Sequence, residues 1–135
     1  MRAIVMSLVA VSLVMLALPY AATADCGERI VLSATADGTA MAASGVVYVG
    51  SLGEGAQQTL TVQVNAAVPD GTQLSVFTNG MPAGTVTIAG GTATLDLSTA
   101  NSSLPAGADP VCEIGPIWVT DAGQTTTLLL DPEFN

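Results

Sequence analysis

Strict alternation of apolar and polar residues dominates this chain after its first two dozen positions. In Thr59–Val64, the apolar residues Leu60, Val62 and Val64 alternate with polar ones, and Gln73–Thr78 repeats the pattern. Alternation with period two is typical of a strand that buries one face, and no helical spacing extends beyond two turns. The pattern predicts eight strands: Ile30–Ala34, Gly45–Val49, Thr59–Val64, Gln73–Thr78, Thr85–Ile88, Thr92–Leu97, Ile117–Thr120 and Thr125–Leu130.

Turn-forming residues separate these strands. Gly90-Gly91 predicts a two-residue hairpin turn, and Ala122-Gly123 predicts another turn. Asn79-Gly80 is a strong turn signal, but we expect Met81–Gly84 to lengthen this connection beyond a minimal hairpin. Ser98–Pro110 is the long predicted loop. Short strands at this spacing predict an all-β fold, a β-sandwich of about seven to eight antiparallel strands.

The start of the chain has the layout of a secretory signal. Arg2 supplies a positive charge, Ala3–Leu18 is an apolar run, and Ala22–Ala24 offers small residues for cleavage. The run is short for a membrane-spanning helix, so an uncleaved anchor is the less favoured alternative. We expect a signal peptide at 1–24 and a single domain at 25–135, which makes the protein secreted, extracellular or periplasmic.

The two cysteines, Cys26 and Cys112, are an even number in a chain expected to be exported. They most simply form one disulfide, which closes a long loop and is worth about 4 kcal/mol in the chain-entropy model. The alternative is a redox pair or a metal site. Two distant cysteines without histidine are a poor metal set, and the chain has no Cys-x-x-Cys.

Charge and composition exclude several classes of function. The chain has no histidine, which excludes Ser-His-Asp and Cys-His catalytic sites and histidine-ligated metals. Beyond the predicted signal, Arg29 is the only base against 11 acids, a formal charge of −10. Such a surface is expected to bind neither nucleic acid nor anionic membranes. We expect a protein that is not an enzyme and that needs no cofactor.

The middle of the chain resembles a known class of modules. The motif comprises a glycine and an apolar strand from Gly45, then Val62-Gln63-Val64, Pro69–Val76, Asn79-Gly80, Gly84–Ile88, Gly90-Gly91 and Leu95-Asp96-Leu97. This order resembles small exported bacterial Ig-like β-sandwich modules of undefined function, over about half of the mature chain. The resemblance implies an Ig-like fold and export, and it brings no catalytic residues.

Acidic residues are spread along the whole chain, and several adjoin turn glycines. Asp37, Asp70 and Asp121 are expected to shape turns through hydrogen bonds to the backbone. The sharper alternative is a calcium site, for which Asp109 and Glu113 are the candidate ligands. No Asp-x-Asp-x-Asp-Gly loop supports that site.

Trp118 is the candidate ligand-binding residue. It alternates with Ile117 and Val119, so it faces outward if those two face the core. An exposed tryptophan can stack on a sugar or anchor a protein. The other arrangement, which the nearby Cys112 favours, buries Trp118 in the core of the sandwich.

Threonine rows mark the outward side of the strands, and lysine is absent from the whole sequence. Since lysine commonly protects edge strands, its absence favours association through strand edges. The sequence thus predicts a secreted, non-catalytic structural or protein-interaction module that acts through sheet-edge or sheet-face contacts. Its expected partners are its own copies, a cell-surface protein or a polysaccharide. The alternative function is an extracellular carbohydrate- or calcium-binding module.

Overall fold

A computed structural model describes residues 26–51, 57–100 and 102–132 of the chain. The predicted signal peptide lies outside the described residues, as do both ends of the predicted domain. The elements are β1 Cys26–Ala34, α1 Ala36–Ala40, β2 Ser44–Ser51, β3 Gln58–Asn65, β4 Gln73–Thr78, β5 Met81–Thr87, β6 Thr92–Ser98, β7 Ile117–Asp121 and β8 Thr127–Leu130. Two 3₁₀ turns, Ala106–Ala108 and Val111–Glu113, lie between β6 and β7.

The strands form one antiparallel hydrogen-bonded series in the order β5-β4-β7-β8-β1-β2-β3-β6. Strand β1 pairs with β2 along most of its length, and its last two residues, Ser33 and Ala34, pair with β8. It therefore divides the series into two parts. The β6 sheet is β1-β2-β3-β6, and the β5 sheet is β5-β4-β7-β8 with the end of β1. The predicted all-β antiparallel fold is confirmed.

The core lies between the inner faces of these two sheets. Leu60, Val62 and Val64 of β3 are fully buried, as alternation predicts, and Leu129 of β8 is buried among the same side chains. A Cβ added at Gly45 of β2 would lie 2.9 Å from the Leu129 side chain, so the two sheets approach closely. This layering is that of a β-sandwich.

The predicted loop at Met81–Gly84 is wrong, because these residues form the first half of β5. The turn before them contains only Asn79 and Gly80, with φ of 52° and 79°, the left-handed conformations of a two-residue hairpin. Pro82 fits because β5 ends the strand order, where a missing N–H costs no ladder bond. The register shifts beside it, at Val76/Phe77.

Gly84 of β5 owes its place to the facing strand. A Cβ there would lie 2.9 Å from Leu95 Cδ1 of β6, so a larger residue would require the Leu95 side chain to shift. The predicted turn at Gly90-Gly91 is confirmed, with φ of 63° and 79° and a bridge between Ala89 and Thr92. The chain crosses from the β5 sheet to the β6 sheet at this turn.

The sulfur atoms of Cys26 and Cys112 lie 2.09 Å apart, which confirms the expected disulfide. The bond joins the start of β1 to the second 3₁₀ turn. The loop between β6 and β7 also contributes Leu104, Ala108 and Val111 to the core. It is therefore held both covalently and by packing.

Candidate functional site

The hydrogen bonds between β3 and β6 determine which backbone groups of β6 face the open edge. Thr99 N–H donates to Gln58 O at 3.0 Å, and Ala66 N–H donates to Gly91 O at 3.0 Å, one bond at each end of the pair. Bonded and non-bonded pairs alternate along an antiparallel ladder. Residues 93, 95 and 97 therefore turn their N–H and C=O groups toward β3, and residues 92, 94, 96 and 98 turn theirs toward the edge.

The two ends of this edge are already occupied. Thr92 exchanges two backbone hydrogen bonds with Ala89, at 3.0 and 3.3 Å, and Ser98 O accepts from Ser102 N–H at 3.3 Å. Among the described residues, no backbone group bonds the edge side of Thr94 or Asp96. These two residues present two N–H donors and two C=O acceptors in a row.

The edge of β6 also lacks the usual protection. Its register with β3 runs without a shift from Thr92 to Ser98, and the strand contains no proline or lysine. The edge of β5, in contrast, carries Pro82 and a register shift. The one charge of β6, Asp96, is held on the outer face by the Thr61 hydroxyl, which donates to Asp96 Oδ1 at 2.7 Å. Bulges, prolines and lysines are what normally prevent strand addition, so of the two strands that end the order, β6 is the unprotected one.

The outer face of the β6 sheet carries a second candidate surface. Arg29, Tyr48, Thr61 and Asp96 are successive partners across its four strands. Arg29 is the only base in the described residues, and its Nε lies 3.4 Å from the Tyr48 hydroxyl as a donor. Tyr48 is 41 % exposed and Val31 is 53 % exposed. This face combines an exposed aromatic and an exposed aliphatic side chain with charges of both signs.

The structure places Trp118 on the outer face of the β5 sheet. Ile117 and Val119 are 1 % and 0 % exposed, so Trp118 points away from the core and is half-buried. Its ring stacks on Phe77 with centroids 5.7 Å apart and an interplanar angle of 13°. The arrangement with Trp118 in the core, which Cys112 favoured, is therefore not the one adopted. The outward orientation of Trp118 is the one that the alternation with Ile117 and Val119 indicates.

A pocket of about 350 Å³ adjoins Trp118. Its lining residues are Pro116, Ile117, Trp118, Thr127, Leu130 and Asp131. Phe77 packs against Trp118 but does not line this pocket, so the pocket lies on the side of the indole toward β8. The buried Asp131 also borders a second pocket of about 230 Å³ beside Arg29 and Val31.

The two candidate calcium ligands are both exposed side chains near the 3₁₀ turns. Asp109 Oδ1 accepts from Gln58 Nε2 at 3.5 Å, and Glu113 ends the second 3₁₀ turn. In the described part of the chain, no three acidic, cysteine or histidine side chains converge as a metal site would require. The calcium site stays a prediction.

Of the three acids expected to shape turns, Asp70 and Asp121 do so, whereas Asp37 lies in the first turn of α1, where Thr35 supplies the cap. Asp70 Oδ1 accepts from Gly90 N–H at 2.9 Å and so ties two turns together. The Asp121 carboxylate accepts from the N–H groups of Thr126 and Thr125, each at 2.8 Å, and from the Thr125 hydroxyl. The bonds from Thr126 and then Thr125 lower the pKa of Asp121 below its ordinary value. They also hold Thr125 and Thr126 in the turn, so β8 begins at Thr127 rather than at the predicted Thr125.

Comparison with protein-family models, with curated protein sequences and with solved structures finds no match to this chain. No helix among the described residues is long and apolar enough to cross a membrane.

Proposed function

We propose that this chain is an exported, non-catalytic protein-interaction module of the Ig-like type, which binds an extended strand of its partner along the edge of β6. The observation that carries this proposal is the row of unbonded backbone groups at Thr94 and Asp96, on an edge without proline, lysine or bulge. Strand addition to an exposed sheet edge is a recurrent mode of peptide recognition.

The magnitude of this contact suits a specific but reversible association. A strand laid antiparallel along β6 gains two hydrogen bonds at each of the two residues, each worth about 0.5–1.5 kcal/mol net. The neighbouring outer face, with Tyr48 exposed, offers a place for the partner's side chains. The composition supports the non-catalytic part of the proposal, since the sequence has no histidine and a single base beyond the proposed signal.

A photo-crosslinking experiment in the exporting cells tests the proposal. A benzophenone amino acid replaces Asp96 at the β6 edge or, as a matched control, Thr85, which is an exposed residue of β5. We expect protein adducts from position 96 only, and we expect Thr94→Pro, which removes one free N–H, to abolish them. Adducts that form equally from both positions, or that survive Thr94→Pro, would refute strand addition at β6.

A second candidate function is carbohydrate binding at the Trp118 pocket. The observation that favours it is the indole, which stacks on Phe77 and lines a pocket together with Thr127 and Asp131. An aromatic face beside such polar groups suits a pyranose ring. Titration of neutral oligosaccharides should show binding that Trp118→Ala weakens about tenfold or more, and that Tyr48→Ala on the other sheet leaves unchanged. Absence of binding at millimolar sugar excludes this candidate.

A further inference from the structure

The free groups of β6 are complementary to those of a second β6. Thr94 and Asp96 each offer one N–H and one C=O, and they are separated by one residue whose groups face β3. When Thr94 lies opposite Asp96 of a second, antiparallel copy, Thr94 N–H meets Asp96 O and Asp96 N–H meets Thr94 O. The twofold axis repeats both bonds. In each copy, Thr94 and Asp96 present two N–H donors and two C=O acceptors to the edge. All eight groups of the two copies are then hydrogen-bonded.

Other registers of the same pairing use these groups less well. If Thr94 lies opposite itself, Asp96 falls opposite Thr92, whose groups already bond to Ala89. If Asp96 lies opposite itself, two carboxylates face each other directly, which is destabilising. The register of Thr94 with Asp96 has neither defect.

The side chains at this junction also fit a second copy. On the outer face, the Thr94 hydroxyl meets the Asp96 carboxylate, the same pair of groups that Thr61 and Asp96 already form at 2.7 Å. On the inner face, the half-buried Leu95 meets Leu95 of the other copy and gains apolar cover. Gly84 of β5 faces Leu95 from across the core, so β5 packs beneath β6, and the strand order gives β6 no neighbour besides β3.

We infer that two copies of this chain pair their β6 strands antiparallel about a twofold axis, with Thr94 of each opposite Asp96 of the other. The pairing joins the two β6 sheets into one continuous sheet with four strands from each copy. This inference rests on the proposed strand addition, and the added strand is β6 of a second copy. Because the mature chain carries a formal charge of −10, we expect the dimer to tighten as salt screens the repulsion.

Sedimentation velocity of the mature chain over a concentration series tests the inference with three substitutions of Thr94. Thr94→Pro removes a bond from each half of the pair, and we expect it to be monomeric. Thr94→Lys places a lysine opposite Asp96 of the other copy and should tighten the dimer by about 2- to 30-fold, whereas Thr94→Glu should weaken it similarly. Thr85→Lys on β5 is the matched control for the change in net charge, and we expect it to tighten the dimer much less than Thr94→Lys does.

The opposite effects of lysine and glutamate identify the register, because a lysine on an edge otherwise only protects it. A wild-type chain that stays monomeric up to about 1 mM in high salt overturns the inference. So does a dimer that Thr94→Pro leaves intact, or one that lysine and glutamate weaken alike. If Thr94→Pro does not fold, the lysine and glutamate variants decide alone. A monomer that still gives adducts from position 96 with another protein refutes self-pairing but supports the proposed function, whereas the lack of any adduct refutes both.

Discussion

Proline substitutions at two adjacent positions of β6 test the backbone directions on which the proposed function rests. Thr94→Pro removes an N–H that faces the open edge and has no partner among the described residues. Leu95→Pro removes an N–H that faces β3, where Leu95 is the partner of the fully buried Val62. The two variants differ by one position in the sequence and should differ widely in stability.

The expected losses of stability follow from the hydrogen bonds between β3 and β6. Leu95→Pro loses one hydrogen bond of about 1 kcal/mol, leaves the Val62 carbonyl unpaired at a cost of about 1–3 kcal/mol, and loses some leucine packing. We expect a total loss of about 3–5 kcal/mol. Thr94→Pro loses none of these and restricts the unfolded chain, so its free energy of unfolding should stay within about 1 kcal/mol of the wild type.

Urea unfolding followed by the fluorescence of Trp118, the only tryptophan, measures both effects. With a slope of about 1.5 kcal/mol per molar urea, the midpoint should fall by about 2 to 3 M for Leu95→Pro and shift by less than about 0.7 M for Thr94→Pro. Thr94→Ala and Leu95→Ala report the side-chain contributions alone. Equal losses for the two proline variants would mean that the Thr94 N–H is bonded within the fold, and the β6 edge would then not be free.

Three further predictions concern stability. Replacing Cys26 and Cys112 by alanine opens a loop with a sequence separation of 86, which should cost about 4 to 5 kcal/mol and about 20 °C in melting temperature by calorimetry; a loss below about 1 kcal/mol would contradict the entropic argument. The buried Thr78 hydroxyl has no hydrogen-bond partner in the described structure, so Thr78→Val should be as stable as the wild type or more stable by about 1 kcal/mol in urea, and a large loss would reveal a missed bond. Asp121 should titrate below the ordinary aspartate value in an NMR titration, because the Thr126 N–H stabilises its charged form. Its contribution is then fully present above the unfolded-state pKa and lost as pH falls through the folded pKa, so Asp121→Asn should reduce the acid sensitivity of stability.

The strands in which apolar and polar residues alternate were predictable from the sequence. Gln73–Thr78 is β4 with the predicted bounds, and the predicted Thr59–Val64 differs from β3 by one residue at each end. In β3 the buried residues alternate with more exposed ones, as the pleat requires, whereas in β4 the outward Ser75 and Phe77 are buried as well. The fold class followed from the same signal.

The predicted strand bounds are wrong where the role of a residue depends on a strand far away in the sequence. Pro82 and Gly84 indicate a loop by local preference, yet Pro82 lies in an edge strand, and Gly84 packs closely against Leu95 of the facing strand. The helix α1 is five residues long and depends on Thr35, which accepts from Gly38 N–H at its start, so it leaves no periodic pattern. Local propensity cannot report contacts made by residues far along the chain.

The candidate site at the β6 edge could be predicted from the sequence only in part. The absence of lysine makes every edge of this chain a candidate for association, but it does not say which strands are edges. That depends on the pairing order, in which β6 follows β5 in the chain but pairs with β3 across the fold. The order leaves β5 and β6 at the two ends, and only β5 carries a proline and a register shift. At one end of β6, the backbone groups of Thr92 are hydrogen-bonded to Ala89 across the Gly90-Gly91 turn. At the other end, Ser98 O accepts from Ser102 N–H. Of the seven residues of the strand, only Thr94 and Asp96 keep unbonded edge-facing groups among the described residues. An edge that is closed at both ends and open at Thr94 and Asp96 limits the partner to a short strand in a defined register, which is the physical basis for expecting specific pairing rather than open-ended aggregation.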